Sequence, residues 1–184
     1  MNTTTTIPTT VSDPVNEQIL EVSEDCVAGF HEDPIGEIAR LCGVDAGTVS
    51  ERLQAVTVAD VMDPDPFTLD GDTTLLDARE RIFDAHQWPF VPVVDRDNRF
   101  LGVLRREAVE AEIEAGRPAL TAREAVGGDR ADWLIRTDQQ LEDLLGQPAL
   151  RGPGAVFAVD REDFLRGVVT IEQVRRAVTP APGR

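Results

Sequence analysis

The sequence predicts an α/β (α+β) fold in which a β-α-β-β-α unit occurs twice, preceded by a small three-helix domain. The first observation is a duplication: residues 90–109 and 155–174 align without a gap at an offset of 65, with eight identities in twenty positions. The second is that both copies alternate apolar runs with polar turns. The third is a helical pattern over residues 15–56. Self-similarity at a fixed offset points to repeated architecture, and two copies are too few for a solenoid, so we expect two units packed against each other.

Each copy contains a strand–turn–strand pattern followed by a helix. Phe90–Val94 and Ala155–Val159 are apolar and rich in β-branched residues, which is typical of buried strands. A polar cluster after each run supplies turn chemistry, so a hairpin is expected. The second strands are predicted at 100–104 and 165–169, and the helices after them at 106–114 and 171–178.

A further strand and helix are predicted upstream of each hairpin. In the first copy they are the strand Pro66–Leu69 and a helix from Thr73 to about Ala85. In the second copy they are the strand Trp133–Ile135 and a helix from Gln139 to about Leu145. The predicted domains are a flexible tail (1–13), a helical domain (14–57), repeat 1 (58–116), repeat 2 (117–179) and a flexible tail (180–184).

The composition restricts the classes of function. The chain has 34 acidic residues and 18 basic ones, a net charge of −16, and every basic residue is arginine. Such a surface repels nucleic acid phosphates unless a local basic patch overrides it. The sequence has no apolar run of membrane-spanning length and no signal-peptide pattern, so a cytoplasmic protein without a membrane partner is expected. Two cysteines, Cys26 and Cys42, are expected to be reduced; a metal site with His31 is the less favoured alternative.

The helical domain shows the spacing of a helix-turn-helix. Val15–Phe30 fits an amphipathic helix, and Pro34 fits the first position of a second. Ala39 allows two helices to cross closely, Gly43 makes a sharp turn, and a third helix buries its apolar side against the second. This stretch is similar to the helix-turn-helix of AsnC/Lrp-type regulators.

The same stretch is poor in cations for a DNA reader. On the exposed side of the third helix, Thr48 and Arg52 are the candidate DNA contacts, and only Arg52 is basic. Phosphate contacts dominate affinity for DNA, so several cations are expected on such a surface. Two interpretations stay open: a DNA-binding domain, and a helical scaffold for dimerisation or for docking a protein partner.

The order of motifs from residue 58 to residue 178 resembles the paired CBS domain (Bateman module). The matching segments are Val58–Met62, Pro66–Leu69, Asp72–Leu75, Val91–Asp95 and Gly167–Thr170. The resemblance implies tandem CBS repeats that form a homodimer and bind an adenosyl ligand such as AMP, ADP, ATP or S-adenosylmethionine between the repeats.

The resemblance also implies where the ligand binds. CBS domains carry Gly-x-x-Thr/Ser-x-x-Asp/Asn at the start of the last helix, where the hydroxyl and carboxylate hold ribose and phosphate. In the second copy Val168, Thr170 and Gln173 fall on this motif, with Gln173 in the place of the acid. The implied opposite wall consists of Pro66, Phe67, Trp88 and Pro89. Ordinary core packing is the alternative for the two aromatic residues.

In the first copy the motif is lost. Arg105 and Ala108 stand where the hydroxyl and the acid are expected, and the implied opposite wall includes Trp133 and Pro153. This second cleft is expected to hold no ligand or an unusual one.

No pattern of catalytic residues is present. Neither histidine has a neighbouring nucleophile or paired carboxylate at a suitable spacing, so the sequence predicts a non-enzyme with no required cofactor and no metal. The expected function is that of a ligand-sensing regulator that signals through the N-terminal helical domain. The alternatives are a ligand-responsive transcription regulator that binds DNA, and a scaffold that binds no ligand and mediates dimerisation or protein interaction.

Overall fold

The computed structural model describes residues 33–128 and 130–179. The predicted tails, the helix predicted over residues 15–30, Cys26 and His31 lie outside these residues.

Two helices joined by a tight turn form the first described part of the chain. Helix α1 (Pro34–Cys42) begins at Asp33, whose carboxylate accepts a hydrogen bond from the Gly36 amide, and it ends at Gly43, which has a φ of 66°. Helix α2 (Ala46–Ala55) begins after Asp45. Gly43 adopts the left-handed conformation that glycine favours, so the predicted sharp turn is present.

Repeat 1 follows with the predicted order of elements. Its elements are α3 (Val58–Val61), β1 (Asp63–Pro64), β2 (Leu69–Asp70), α4 (Leu75–Ala78), a π-helical turn (Arg79–Phe83), α5 (Asp84–His86), β3 (Phe90–Val94), β4 (Phe100–Arg105) and α6 (Arg106–Glu114). The strand predicted over 66–69 is shorter, because Asp65 has a left-handed φ of 58° and Pro66 has no amide to donate.

Repeat 2 differs in its upstream helix. Its elements are α7 (Ala122–Ala125), a 3₁₀ turn (Arg130–Trp133), β5 (Leu134–Arg136), a 3₁₀ turn (Leu141–Gly146), α8 (Pro148–Arg151), β6 (Ala155–Val159), β7 (Leu165–Thr170) and α9 (Ile171–Val178). The helix predicted over 139–145 is instead a 3₁₀ turn. Gln147 is extended, as a residue before proline prefers, and a new helix starts at Pro148.

The strands form two sheets, and one strand crosses between the repeats. The sheet of repeat 1 has the order β2-β3-β4, and that of repeat 2 has the order β1-β7-β6-β5. Strand β1 belongs to repeat 1 in sequence but pairs antiparallel with β7 of repeat 2, with Asp63 opposite Val168 and Pro64 opposite Gly167. A side chain at Gly167 would meet the Asp63 carbonyl oxygen at 2.7 Å, so glycine is required there.

The short helices α3 and α7 each dock on the opposite repeat. The amides of Val58 and Ala59 donate to carbonyl oxygens of repeat 2, both at 3.0 Å. The amides of Ala122 and Arg123 donate to carbonyl oxygens of repeat 1, at 2.8 and 2.9 Å. Both helices begin with a capping box, formed by Thr57 with Asp60 and by Thr121 with Glu124. The two repeats therefore exchange their first helices.

The helical pair α1–α2 shares the hydrophobic core of repeat 2. Ile38, Val49 and Leu53 are fully buried in one cluster with α9 residues such as Val174 and with the leucines of the 141–146 turn. The Arg52 guanidinium donates to the Val178 carbonyl oxygen at the end of α9. Residues 34–55 are thus packed onto repeat 2.

We predict that Leu53→Ala destabilises repeat 2 as well as α2. Loss of a fully buried leucine costs about 2–5 kcal/mol. The chain has two tryptophans and no tyrosine, so Trp88→Phe leaves Trp133, in the core of repeat 2, as the fluorescent reporter. In this background Leu53→Ala should lower the urea midpoint of Trp133 fluorescence, whereas Gln54→Ala, at an exposed position, should not. An unchanged Trp133 midpoint, with helical circular dichroism lost earlier, would show that α1–α2 unfolds independently.

We also predict a pH-dependent contribution from the capping box of α7. Hydrogen bonds donated by the Thr121 amide and hydroxyl hold the pKa of Glu124 below its ordinary value of 4.5. A lowered pKa stabilises the fold above the ordinary value, and this stabilisation is lost as the pH falls through the folded pKa. The difference in unfolding free energy between wild type and Glu124→Gln should therefore shrink between about pH 6 and about pH 3. Glu51→Gln, on the exposed side of α2, is the control; a pH-independent difference for Glu124→Gln would contradict the prediction.

Candidate functional site

The duplication places two equivalent positions at the starts of α6 and α9. Arg105 in repeat 1 corresponds to Thr170 in repeat 2, and Ala108 corresponds to Gln173. Each pair occupies the N-cap and the third position of its helix. The side chains at the start of α9 bond to one another, whereas those at the start of α6 line a cavity.

At the start of α9 the polar groups bond to one another. Thr170 is fully buried, and its hydroxyl donates to the Gln173 side-chain oxygen at 2.6 Å, as does its amide. The Gln173 amide nitrogen in turn donates to the Asp63 carboxylate. Gln173 and Asp63 also line a shallow cavity of about 290 Å³ with Asp60 and Arg176. The predicted ligand-binding hydroxyl and amide therefore act here as a helix cap.

The predicted aromatic wall forms a separate group in the core of repeat 1. The Phe67 ring meets Trp88 edge-on at 5.0 Å, and His86 stacks on Trp88 at 4.4 Å. Trp88 is only 6% exposed. In the described part of the chain, no hydrogen bond or ring contact joins Phe67 or Trp88 to the pair at the start of α9. This arrangement favours core packing for the two rings.

The other wall residues lie at strand and helix starts. The Pro89 carbonyl oxygen accepts from the Arg106 amide at 2.9 Å, which places it beside α6. Pro66 precedes β2 and is partly buried, and Val168 is fully buried in β7.

The start of α6 opens into a cavity of about 190 Å³. Strand β4 and helix α6 form one side, and α7 with the segment after it forms the other. The lining residues are Val103, Arg105, Ala108, Ala125, Gly127, Arg130 and Trp133. Pro153 is not among them; it precedes Gly154, whose carbonyl oxygen accepts from the Ile171 amide at the start of α9.

The floor of this cavity is aromatic. Trp133 packs against Phe90 at 5.0 Å and against Phe157 at 6.3 Å between ring centroids. The guanidinium of Arg105 lies 5.4 Å from the centroid of the Trp133 ring, in a cation–π contact. Trp133 is 4% exposed, whereas Arg105 is exposed to solvent.

Two guanidinium groups give the cavity a positive charge within a strongly acidic protein. Arg130 pairs with Asp163 at 3.1 Å and lies over the Phe100 ring at 5.9 Å. Its buried Nε atom has no hydrogen-bond partner among the described residues. Over the same residues, no carboxylate oxygen lies within 4.0 Å of the Arg105 guanidinium. The cavity therefore carries positive charge that is only partly neutralised from within the described chain.

The helix start adds backbone donors to this charge. Arg105 gives α6 no side-chain cap, and Ala108 has no acceptor to offer, in contrast to Thr170 and Gln173. The Arg106 amide donates to the Pro89 carbonyl oxygen, whereas the next amides of the first turn have no capping side chain among the described residues and are left to solvent or to an anion. A flat aromatic floor beside arginines and helix amides suits a ligand that joins a planar base to a phosphate.

The candidate DNA contacts are engaged within the chain. The Thr48 amide donates to the Asp45 carboxylate at 2.9 Å, and the Thr48 hydroxyl donates to it as well. Arg52 donates to Val178 at the end of α9, and Ser50 donates to Glu142 at 2.8 Å. In this arrangement α2 presents Arg52 to repeat 2.

The sequence prediction did not include Arg130, Ala125, Gly127 and Asp63. A second capping box could have revealed them: Thr121–Val126 aligns with Thr57–Met62 at an offset of 64, which marks a second docking helix. The residues after each helix then enter the two cavities.

In the described ranges 33–128 and 130–179, histidine, cysteine and acidic side chains form no cluster of three or more that suits a metal ion. No helix in these ranges combines the length and the apolar character needed to cross a membrane.

Comparison with known proteins supports the two-repeat architecture. Residues 58–114 match the family model described as CBS domain. No curated protein matches the chain. The structure of CbpB in complex with c-di-AMP aligns with a TM-score of 0.61 at 12% identity, over 72% of this chain and 90% of that one.

Two further solved structures align over a similar span. CBSX2 in complex with AMP gives a TM-score of 0.52 at 21% identity, over 66% of this chain and 94% of that one. Staphylococcus aureus OpuCA gives a TM-score of 0.52 at 26% identity, over 65% of this chain and 96% of that one. The fold of the two repeats is therefore that of a tandem CBS pair, and residues 58–114 match the CBS domain family.

Proposed function

We propose that this chain is a non-catalytic regulatory CBS-pair protein that binds an adenine nucleotide in the cavity at the start of α6. The observation that carries the proposal is the juxtaposition of Arg105, Arg130 and Trp133 in one cavity between the repeats. The sequence favoured the start of α9. There, Thr170 and Gln173 already bond to each other and to Asp63, so the α6 cavity is the better candidate.

The solved relatives support the ligand class. CBSX2 is in complex with AMP and CbpB with c-di-AMP, and both ligands combine adenine with phosphate. Another CBS pair is in complex with S-adenosylmethionine and methylthioadenosine, so this fold also accepts ligands without phosphate.

The charge of the cavity selects among these ligands. Two unit charges 4 Å apart near a protein surface interact by about 4 kcal/mol. Arg105 and Arg130 thus attract a phosphate and repel the sulfonium of S-adenosylmethionine. We therefore place AMP, ADP and ATP ahead of S-adenosylmethionine.

The effect of the ligand is proposed to reach the helical pair α1–α2 through repeat 2. Trp133 lies in the same core cluster as Val49 and Leu53. A ligand that changes the packing of this core therefore also changes how α2 packs on repeat 2. The partner of this region is proposed to be a protein, because Arg52 is committed to α9. A homodimer through the CBS pair and a cytoplasmic location remain predictions.

DNA binding is the second candidate function, and the helical pair with its turn at Gly43 favours it. It requires α2 to leave repeat 2 and to present Thr48 and Arg52 to a groove. Binding to DNA that weakens as salt rises, and that Arg52→Ala weakens, would support this candidate over a protein partner.

We predict that AMP, ADP or ATP raises the melting temperature and that S-adenosylmethionine does not. A ligand at 100 times its dissociation constant adds about 2.7 kcal/mol of stability. Arg105→Ala should reduce this shift. Arg99→Ala is the matched control, because Arg99 also lies over an aromatic ring, at 5.0 Å from Phe164, but outside the cavity.

Two outcomes would contradict the proposal. One is the absence of a shift with every nucleotide. The other is a shift that Arg105→Ala preserves and that a substitution at Gln173 abolishes, which would place the ligand at the start of α9.

A further inference from the structure

We propose that Arg105 is a gate that makes access to Trp133 depend on phosphate. The guanidinium covers the ring that a base would use, and only a phosphate gives it a better partner. The preferred ligands are therefore molecules that carry a base and a phosphate together, and a free nucleoside binds more weakly than the corresponding nucleotide. This inference rests on the proposed function, since it concerns the same cavity.

The side chain of Arg105 covers the ring of Trp133. The indole is 4% exposed although it lines the cavity. The Arg105 guanidinium lies 5.4 Å from the ring centroid, and Arg105 itself is exposed. Strand pairing places Arg105 opposite Phe90, which also contacts Trp133, so the backbone holds the arginine beside the ring.

The cavity is too small to hold a base beside the Arg105 side chain. Cavities that bind small molecules usually have volumes of about 300–1,000 Å³. This cavity, at about 190 Å³, is smaller than that range. A base stacked on Trp133 needs the volume that the Arg105 side chain fills, so the side chain must move when a base enters.

The Arg105 side chain is able to move, whereas the Arg130 side chain is held by an ion pair. Arg130 is tied to Asp163 by an ion pair at 3.1 Å. The neighbouring Arg106 donates to the carbonyl oxygens of Trp88 and Phe83. Among the described residues, Arg105 has neither an ion pair nor a side-chain hydrogen bond. Its guanidinium contacts the Trp133 ring there. A long, exposed side chain held by a single cation–π contact rotates readily.

A phosphate is a stronger partner for the Arg105 guanidinium than the Trp133 ring is. A cation–π contact at an exposed site is weaker than the charge-assisted, bidentate bonds that arginine forms with phosphate. When a nucleotide binds, its phosphate therefore replaces the Trp133 ring as the partner of Arg105. The base then stacks on the ring that the guanidinium has left. Adenosine offers no such partner, so its base competes with Arg105 for the same surface.

The test compares AMP with adenosine in the full chain carrying Trp88→Phe, in which Trp133 is the remaining tryptophan. Binding is followed by quenching of Trp133 fluorescence. We expect AMP to bind at least about tenfold more tightly than adenosine, a difference of about 1.4 kcal/mol. Arg105→Ala should weaken AMP and strengthen adenosine, so that the two affinities converge.

Two further variants separate the gate from a simple phosphate contact. Arg105→Lys keeps the charge but loses the planar group, so it should retain AMP binding and admit adenosine better than the parent does. Arg99→Ala should leave both affinities unchanged. Melting curves of each variant establish that it is folded.

The gate is overturned if adenosine binds the parent as tightly as AMP, or if Arg105→Ala weakens AMP without improving adenosine. In those cases AMP still binds and the proposed function stands. If neither adenosine nor any of AMP, ADP and ATP changes Trp133 fluorescence or the melting temperature of the parent, the proposed function fails together with the gate.

Discussion

The hydrogen bonds by which α3 and α7 each dock on the opposite repeat are the constraint on which the rest of the structure depends. They fix the two repeats relative to each other and bring β1 into the sheet of repeat 2. They also place the end of α7 and the segment after it beside repeat 1, where Ala125 and Gly127 close one side of the α6 cavity. A single repeat cannot build this cavity, because its two sides come from both repeats.

Within this shared frame the two copies have diverged in chemistry. At one helix start Thr170 and Gln173 form a closed network with Asp63. At the equivalent start Arg105 and Ala108 provide no side-chain cap, and the Arg105 guanidinium lies over an indole. The segments after α3 and α7 also differ in charge. The position after Met62 in repeat 1 is Asp63, and the equivalent position in repeat 2 is the uncharged Gly127. The start of α9 is acidic, and its polar side chains bond to one another. The start of α6 carries positive charge and faces a cavity.

Much of the fold could be predicted from the sequence, because hairpins and their offset of 65 residues depend on local patterns. Both hairpins and both final helices agree with the prediction to within a residue. The strand at 66–69 and the helix at 139–145 were wrong in extent or type, since a left-handed Asp65 and the extended Gln147 before Pro148 override apolar periodicity. The prediction that the third helix buries its apolar side was correct, and Val49 and Leu53 are the buried residues, but the sequence did not indicate that repeat 2 shares this core.

The candidate site was harder to predict because it depends on contacts between distant segments. The bond between Gln173 and Asp63 spans 110 residues, and Arg130 lies outside the aligned duplication. The motif alone therefore ranked Thr170 above Arg105. A crystal structure of the chain with AMP would distinguish the two helix starts. We predict phosphate at Arg105 and Arg130, with adenine on Trp133 in place of the guanidinium. AMP bound at Thr170, Gln173 and Asp63, with Arg105 still over Trp133, would contradict it.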